Sequence, residues 1–430
     1  MSLKLPLGIR LERKKDASLL NWNLKRPYPP EKIRVPVPFN AEPCVRIGDK
    51  VVTGQKIAEA NGTEGVSVHA GMCGTVEKVA EYPDPTGKQS LMIEIRRYGE
   101  PKPSAPWDLR KDWEQIPAEQ LAGIFRNAGL VTTGPRSEPV HVKLARHAAA
   151  RTLVINICAP EPYITCELVL AMSHPVEILR GAELLRKACH AEKVVFALED
   201  SNRETAELIK SKIYFLKWTH AEVRTVPAIY PQGLENTLLQ AWFSGEEDQA
   251  LVFPASTAFA VYEAVALGKP FYERVVTVGG ECVVEPRSLW LPLGISFHDA
   301  IRTCKGVMRE PRKVLMGGPL AGTAQASQEV PLMASTNAVL ALPQEIVTEA
   351  ERSAEPCIRC NLCVDHCPAA LSPAMITLAA EAKEFAIARE WDAAECFECG
   401  ICAYVCPSKR PMLELIRAAN HPAEKKVAHV

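Results

Sequence analysis

The alternation of apolar and polar positions divides the chain into blocks before any chemistry is considered. From about Tyr28 to Arg97 there are short apolar alternations: Ile33 to Val37, Lys50 to Val52, Val66 to Val68, Thr75 to Val79 and Leu91 to Ile95. They are cut by Gly48-Asp49, Asn61-Gly62 and Gly71. Period-two runs separated by turn residues predict a small all-β unit. A proline-rich connector, Pro101 to Pro106, leads to two apolar runs of strand type, Thr152 to Ile157 and Lys193 to Leu198. Between them, Val176, Leu179, Ala182 and Leu185 fall at helical spacing within Pro175 to Ala188. Ser201 and Glu204 form a capping-box pair that opens a further helix. Strand, helix, strand, helix predicts a parallel sheet of doubly wound type.

From about Val223 to Leu293 the pattern returns to β, with one helix near Ala258 to Leu267, and Gly317-Gly318-Pro319 marks a later turn. Ser372-Pro373 starts a helix with proline at its first position and Met375, Leu378, Ala382 and Phe385 on one face. Met412, Leu415 and Ile416 mark a last helix, and His421 to Val430 reads as a frayed end. The expected domains are thus 1–100, 107–222, 223–310 and 345–420.

Composition narrows the function classes. With 50 basic and 51 acidic side chains there is no electrostatic footprint for nucleic acid and no polybasic membrane patch. At 430 residues and 47% apolar content the chain can bury large cores in about two to four domains. Met1 to Trp22 lacks the apolar core of a signal peptide or anchor, and no run approaches the roughly 18 apolar residues of a spanning helix.

Cysteine supplies the chemistry. Cys357, Cys360, Cys363 and Cys367 stand in a C-x2-C-x2-C-x3-C-P run, and Cys396, Cys399, Cys402 and Cys406 repeat it, with Pro368 and Pro407 included. This is the spacing of a two-cluster bacterial ferredoxin, in which three close thiolates hold one cubane and the fourth reaches across to the other. Cys357, Cys360, Cys363 and Cys406 are therefore expected on one [4Fe-4S] cluster, and Cys396, Cys399, Cys402 and Cys367 on the second. Structural zinc also uses C-x2-C pairs, but it takes four ligands per site and has no need of a triplet followed by C-P. Cys44, Cys73, Cys158, Cys166, Cys189, Cys282 and Cys304 lack ligand spacing and read as buried thiols. His69 and Cys73, spaced singly in a strand-turn, read as packing residues.

Two resemblances follow from particular residues. Val45-Arg46-Ile47-Gly48-Asp49-Lys50-Val51 and Val68-His69-Ala70-Gly71-Met72-Cys73-Gly74-Thr75-Val76 resemble the halves of a lipoyl- or biotinyl-like barrel-sandwich domain, without the lysine that carries its prosthetic group. Over nearly its full length the chain resembles the RnfC family, the peripheral subunits of the Rnf (Rsx) electron-transport complexes. The matching residues include Tyr28-Pro29-Pro30-Glu31, Asn156 with Glu161-Pro162-Tyr163, Tyr230-Pro231-Gln232-Gly233, Leu267-Gly268-Lys269-Pro270, Glu273-Arg274-Val275-Val276-Thr277-Val278, Gly317-Gly318-Pro319 and both cysteine runs. The resemblance implies a Rossmann-like flavin- and NADH-binding domain, a β-grasp domain of the soluble-ligand-binding type and a helical two-cluster module.

The departures from that family shape the functional expectation. Its glycine-rich loop, of the type G-x-G-G-A-G-F-P-T, is replaced by a stretch running from Ala128 to Pro139, with Gly129 and Gly134 left, two prolines added and Glu138 placed to repel an anion. Its acidic stretch N-G-A-E-C-E-P-Y keeps Glu161 but has Ala159 in place of one carboxylate. Its N-V-x-T site reads Pro254-Ala255-Ser256-Thr257. The site residues Gly129, Gly134 and Glu161 are therefore expected to belong to a vestigial flavin and NADH pocket, with FMN absent. The opposing expectation is a flavin held in another way, through Arg136 and Lys143. The resemblance implies an iron-sulfur subunit on the cytoplasmic face of a membrane, partnered by a ferredoxin-side iron-sulfur subunit and integral membrane subunits. The alternatives are an orthodox flavin-dependent RnfC, and a soluble relative serving cobalamin or proline reductase.

Overall fold

The structure is a computed structural model that describes residues 8–99, 110–133, 137–147, 150–243, 250–350 and 354–420. The proline-rich connector and the C-terminal tail from His421 lie outside the described residues, as do Gly134, Pro135 and Arg136. A one-turn helix, α1 (Asp16–Leu19), precedes the first strand.

The N-terminal unit is all-β. Strands β1 (Lys32–Pro36), β2 (Ala41–Pro43), β3 (Lys50–Val51), β4 (Lys56–Ala60), β5 (Val68–His69), β6 (Gly74–Pro83) and β7 (Gln89–Arg97) form two antiparallel sheets, ordered β1-β7-β6-β3 and β2-β4-β5. Alternation sets the register: Ile33 and Val35 point inward and pair with Ile95 and Ile93 on β7. Strands β2 and β4 were not expected, since Ala41–Pro43 is too short to show a period and Lys56–Ala60 buries two adjacent residues.

The next unit wraps a parallel sheet. Helices α2 (Ala118–Ala128) and α3 (Val140–Arg146) lead into β8 (Thr152–Asn156), α4 (Cys166–Ser173), α5 (Pro175–Ala188) and β9 (Lys193–Glu199). The chain continues through α6 (Arg203–Phe215), β10 (Ala221–Val226), α7 (Glu235–Phe243), β11 (Ala250–Pro254) and α8 (Ala255–Ala266). The strand order is β10-β9-β8-β11, all parallel. The central strands are apolar runs because both faces are covered.

Two expectations are corrected here. The boundary at residues 222/223 falls inside this sheet, because Val223 lies within β10 and the run Ala250 to Phe253 is buried as its edge strand beside β8. Helix α6 opens at Arg203 with Asn202, not Ser201, at the cap, and no side chain caps it. Asn202 instead donates to Glu199.

A mixed five-stranded sheet follows, of β12 (Glu273–Gly279), β13 (Arg287–Pro292), β14 (Lys313–Met316), β15 (Thr323–Ala324) and β16 (Ala338–Leu342), ordered β13-β12-β16-β14-β15. Only the central pair β12–β16 is parallel. Helix α9 (Phe297–Thr303) is capped by the Ser296 hydroxyl, which accepts from the Asp299 amide. The sheet therefore ends at Leu342, beyond the expected 310. The run Ala338–Leu342, buried throughout, carries no alternation to announce it. Its core is continuous with the N-terminal unit: Ile33, Ile57 and Ile95 share one apolar cluster with Val276, Leu291 and Phe297.

After α10 (Gln344–Ala350) comes the cysteine module, with α11 (Leu362–Asp365), α12 (Pro373–Glu381), α13 (Phe385–Glu390), α14 (Ile401–Val405) and α15 (Met412–Asn420). Helix α12 has Pro373 in its first turn, but the face it buries is Ile376, Thr377 and Ala380. Met375 and Leu378, expected on one face of this helix, line a cavity walled by cysteines.

Gly181 fixes how closely α5 approaches α8, since a Cβ there would run into the carbonyl of Ala258. In a free helix Gly→Ala helps by about 1 kcal/mol. Here Gly181→Ala should instead destabilise by about 1–3 kcal/mol through overpacking, read as a lowered urea midpoint.

Candidate functional site

Eight cysteines fall into two spatial groups. One cavity is lined by Cys357, Cys360, Cys363 and Cys406, together with Met375 and Leu378. A second is lined by Cys367, Cys396, Cys399 and Cys402, together with Ile401 and Ile416. The fourth cysteine of each run thus stands with the first three of the other. Among the described residues no three potential donors converge on a point suited to a single ion; what each group shares is a cavity.

Backbone conformation explains how short loops curl around these cavities. Arg359 and Asn361 are left-handed (φ 58° and 62°), and so are Glu398 and Gly400 (φ 53° and 73°), at the same offsets from Cys357 and Cys396. Ala370 and Lys409 (φ 54° and 49°) repeat the correspondence three residues after Cys367 and Cys406. Left-handed residues turn successive N–H groups to one side and form anion-binding concavities. One such donor is recorded: the Glu398 N–H reaches the Cys396 sulfur at 3.3 Å. The sequence hides this repeat because five of the six residues are not glycine.

Burial raises the thiol pKa at Cys363, Cys367 and Cys402, and pushes Cys399 up to about 12. Burial thus favours the protonated form of these four thiols, and a metal must displace those protons on binding. The two groups differ in surroundings: Cys360 is exposed, whereas Cys367, Cys399 and Cys402 are buried. Of the remaining cysteines five are buried as expected, but Cys44 is exposed and Cys73 half-buried. The Cys73 sulfur accepts from the Thr53 amide at 3.4 Å, and His69 is buried, consistent with packing roles.

The other candidate is the crevice at the carboxyl ends of the parallel strands, where open α/β sheets bind ligands. Among the described residues the crevice donors are largely committed to partners within the chain, which does not suit a flavin phosphate. The loop after α2 closes on itself: Thr132 N–H donates to the Glu138 carbonyl (2.9 Å), Glu138 N–H to the Thr132 hydroxyl (3.0 Å) and the Ser137 hydroxyl to the Thr132 carbonyl (2.7 Å). Gly129 serves as the left-handed C-cap of α2, packed on the Ser67 carbonyl. Asn156 donates to the Gly233 carbonyl and accepts from the Cys158 amide. Lys143 pairs with Glu235 at 2.6 Å, and Glu138 with Arg146 at 2.6 Å.

At α8, Ser256 gives both its amide and its hydroxyl to the buried Glu167 (2.7 and 2.6 Å), so a carboxylate of the chain already occupies that helix N-terminus. Glu161 is buried and accepts from the amides of Leu320 and Ala321, away from the crevice. Burial raises its carboxyl pKa, and those two amides oppose the rise. Buried Lys15 donates to the Ala159 carbonyl, while Arg13 bonds Glu199 at 3.1 Å. Unpaired polar atoms remain at Arg274 (Nε and Nη2) and Thr257. The cavity those two residues line, about 10 Å³, has room for about one water and none for a phosphate.

Comparison with known proteins gives three family matches. Residues 3–100 match the RnfC barrel sandwich hybrid domain, 125–263 the Nuo51 FMN-binding domain and 356–409 the 4Fe-4S dicluster domain. The chain is similar to the corresponding component of the proton-translocating ferredoxin:NAD(+) oxidoreductase complex of Clostridium ljungdahlii, 30% identical over 376 residues, covering 84% of this chain and 81% of that protein. The counterpart from the Na(+)-translocating ferredoxin:NAD(+) oxidoreductase complex of Acetobacterium woodii is 31% identical over 378 residues, covering 84% and 83%. The counterpart from the ion-translocating oxidoreductase complex of Rhodobacter capsulatus is 33% identical over 363 residues, covering 80% and 69%.

Lys15 gives this crevice a pH signature. Burial pulls its pKa from 10.5 down to about 8, against the pull of Glu199. Between those values the unfolded chain binds more protons than the folded one, so stability should rise with pH across the interval. Below about 8 the burial cost is present in full. In urea unfolding from pH 7.5 to 10.5, Lys15→Met should remove that rise.

Proposed function

The chain belongs to the RnfC family, whose members are components of ion-translocating ferredoxin:NAD(+) oxidoreductase complexes, and from that membership we propose that it is an electron-relay subunit that works through two iron-sulfur clusters without a flavin of its own. The observation that carries the reading is the grouping of the eight cysteines around two cavities, each taking three from one run and one from the other. In this assignment Cys357, Cys360, Cys363 and Cys406 hold the first cluster, and Cys367, Cys396, Cys399 and Cys402 the second. Each cluster, when bound, takes up and passes on one electron at a time. The chain fixes ligand spacing, buries three of the four cysteines of the second group and leaves the first open at Cys360.

The partners in this reading are a ferredoxin-side iron-sulfur subunit and integral membrane subunits. No helix among the described residues is long and apolar enough to cross a membrane, and we assign membrane contact, on the cytoplasmic face, to those partners. The parallel sheet is assigned as a Rossmann-like domain. The β13-β12-β16-β14-β15 sheet is assigned as a β-grasp domain, on its central parallel pair flanked by antiparallel strands.

A second reading is favoured by the match of residues 125–263 to an FMN-binding domain, which makes the chain an orthodox flavin-bearing subunit. The donors already consumed at Thr132, Asn156 and Ser256, and the Glu161 carboxylate already bonded to two amides, support the first.

Anaerobically prepared chain should carry about eight irons and eight acid-labile sulfides, with visible sulfur-to-iron absorption; zinc in their place contradicts the assignment. Cys367→Ser should disturb the cluster of Cys396, Cys399 and Cys402 and spare the other. Acid extraction should release no stoichiometric flavin, and NADH should not reduce an artificial acceptor. Release of about one FMN per chain would return the protein to the second reading.

A further inference from the structure

Glu161 is the crevice carboxylate that reaches outward. Its Oε2 accepts from the amides of Leu320 (2.9 Å) and Ala321 (3.2 Å). The carbonyls of those same two residues face the second cysteine loop. The Ala321 carbonyl accepts from Arg417 Nη2 at 2.8 Å, and Arg417 Nε bonds Glu398 at 2.7 Å. The Leu320 carbonyl lies against Gly400, where a Cβ would collide with it. Glu398 and Gly400 are the two left-handed residues on either side of Cys399.

A second brace arrives separately. Tyr230, 2% exposed, donates its hydroxyl to the Cys399 carbonyl at 2.6 Å and is pinned to Ile9 by backbone hydrogen bonds of 2.8 and 2.9 Å. Tyr230, Cys399 and Ile401 form an apolar cluster with Leu234, Leu320 and Val405 around the joint. Around the first array, by contrast, Glu355 N–H donates to Ser408 and the Ser408 hydroxyl to Pro356, both within the cysteine module.

We propose that Glu161 and Tyr230 are positioning residues for the cluster held by Cys367, Cys396, Cys399 and Cys402: Glu161 holds that cysteine loop through the Leu320–Ala321 turn of the mixed sheet, and Tyr230 holds it directly. The inference rests on the iron-sulfur reading. Cluster potentials are set by hydrogen bonding and solvent exposure. The reduced cluster carries one more negative charge than the oxidised one, so water admitted at Cys399 stabilises the reduced form and raises that potential.

The test uses the full chain with clusters reconstituted anaerobically, in wild type, Glu161→Ala, Glu161→Gln and Tyr230→Phe, each titrated redox-potentiometrically with EPR detection. Iron content should stay at the wild-type level. In Glu161→Ala and Tyr230→Phe one of the two potentials should move positive while the other stays. Glu161→Gln, whose amide oxygen accepts the same two N–H bonds, should stay at wild type. Unmoved potentials in the Ala and Phe variants, a common shift of both clusters, or a Gln variant displaced as far as the Ala variant would overturn the proposal. If Glu161→Ala does not fold, Tyr230→Phe, which removes a single oxygen, decides by itself. Wild-type protein without two clusters would overturn the iron-sulfur reading instead, before any variant is compared.

Discussion

Keeping eight thiols in a small, thin module is the constraint on which the rest of the structure depends. The helices that carry them run from four to nine residues. Isolated helices below about 12–15 residues are marginal in water, so tertiary contacts must hold these. Yet Cys363, Cys402 and Cys406 are themselves part of the module's apolar cluster, beside Ile376, Met412 and Ile416. The cysteines proposed as ligands are thus part of the core. Folding and ligation are therefore linked in this module, as in other small metal-binding domains. It has further support at its joints, where Arg417 reaches the Ala321 carbonyl between β14 and β15 of the mixed sheet and Tyr230 of the α/β unit reaches the Cys399 carbonyl.

The crevice shows how polar groups are kept satisfied where a sheet end is dry. Unpaired buried charge costs several kcal/mol, and here the charges meet partners within the chain: Lys143 with Glu235, Arg13 with Glu199, Glu167 with the first turn of α8, and Glu161 with two amides. Each pairing also withdraws a group from ligand binding. The buried Arg274 guanidinium bonds the Ala334 carbonyl and keeps two nitrogens without a protein partner, beside space for a single water.

The parts of this structure legible in the sequence are those whose physics is local. The cysteine runs fix their own grouping by spacing, and α5 begins at Pro175 because proline suits a first turn. The two central parallel strands, β8 and β9, announce themselves as apolar runs. What was not legible depends on distant residues. Ala250–Pro254 and Ala338–Leu342 are five-residue runs whose sheet membership is decided by β8 and β12, far away in sequence. Departures from the family's glycine-rich loop can be read residue by residue. The groups that take up the freed positions cannot: Glu167 reaches Ser256 across 89 residues and Lys143 reaches Glu235 across 92. The left-handed turns at Arg359, Asn361 and Glu398 stayed hidden because none is glycine, and their geometry is set by the cavity they enclose.

The two cysteine arrays repeat in sequence and in backbone geometry, yet they do not end in equivalent places. The first keeps Cys360 at the surface, beside exposed Ile358 and half-exposed Met375 and Leu378. The second is covered by Tyr230, Leu320 and Ile401 and tied by hydrogen bonds to the α/β unit. Since solvent exposure and hydrogen bonding tune cluster potentials, the iron-sulfur reading proposed above places its two clusters in unequal surroundings. The asymmetry is imposed by the α/β unit and not by the cysteines. The α/β unit thereby reaches the second cysteine loop through Tyr230, whose hydroxyl donates to the Cys399 carbonyl.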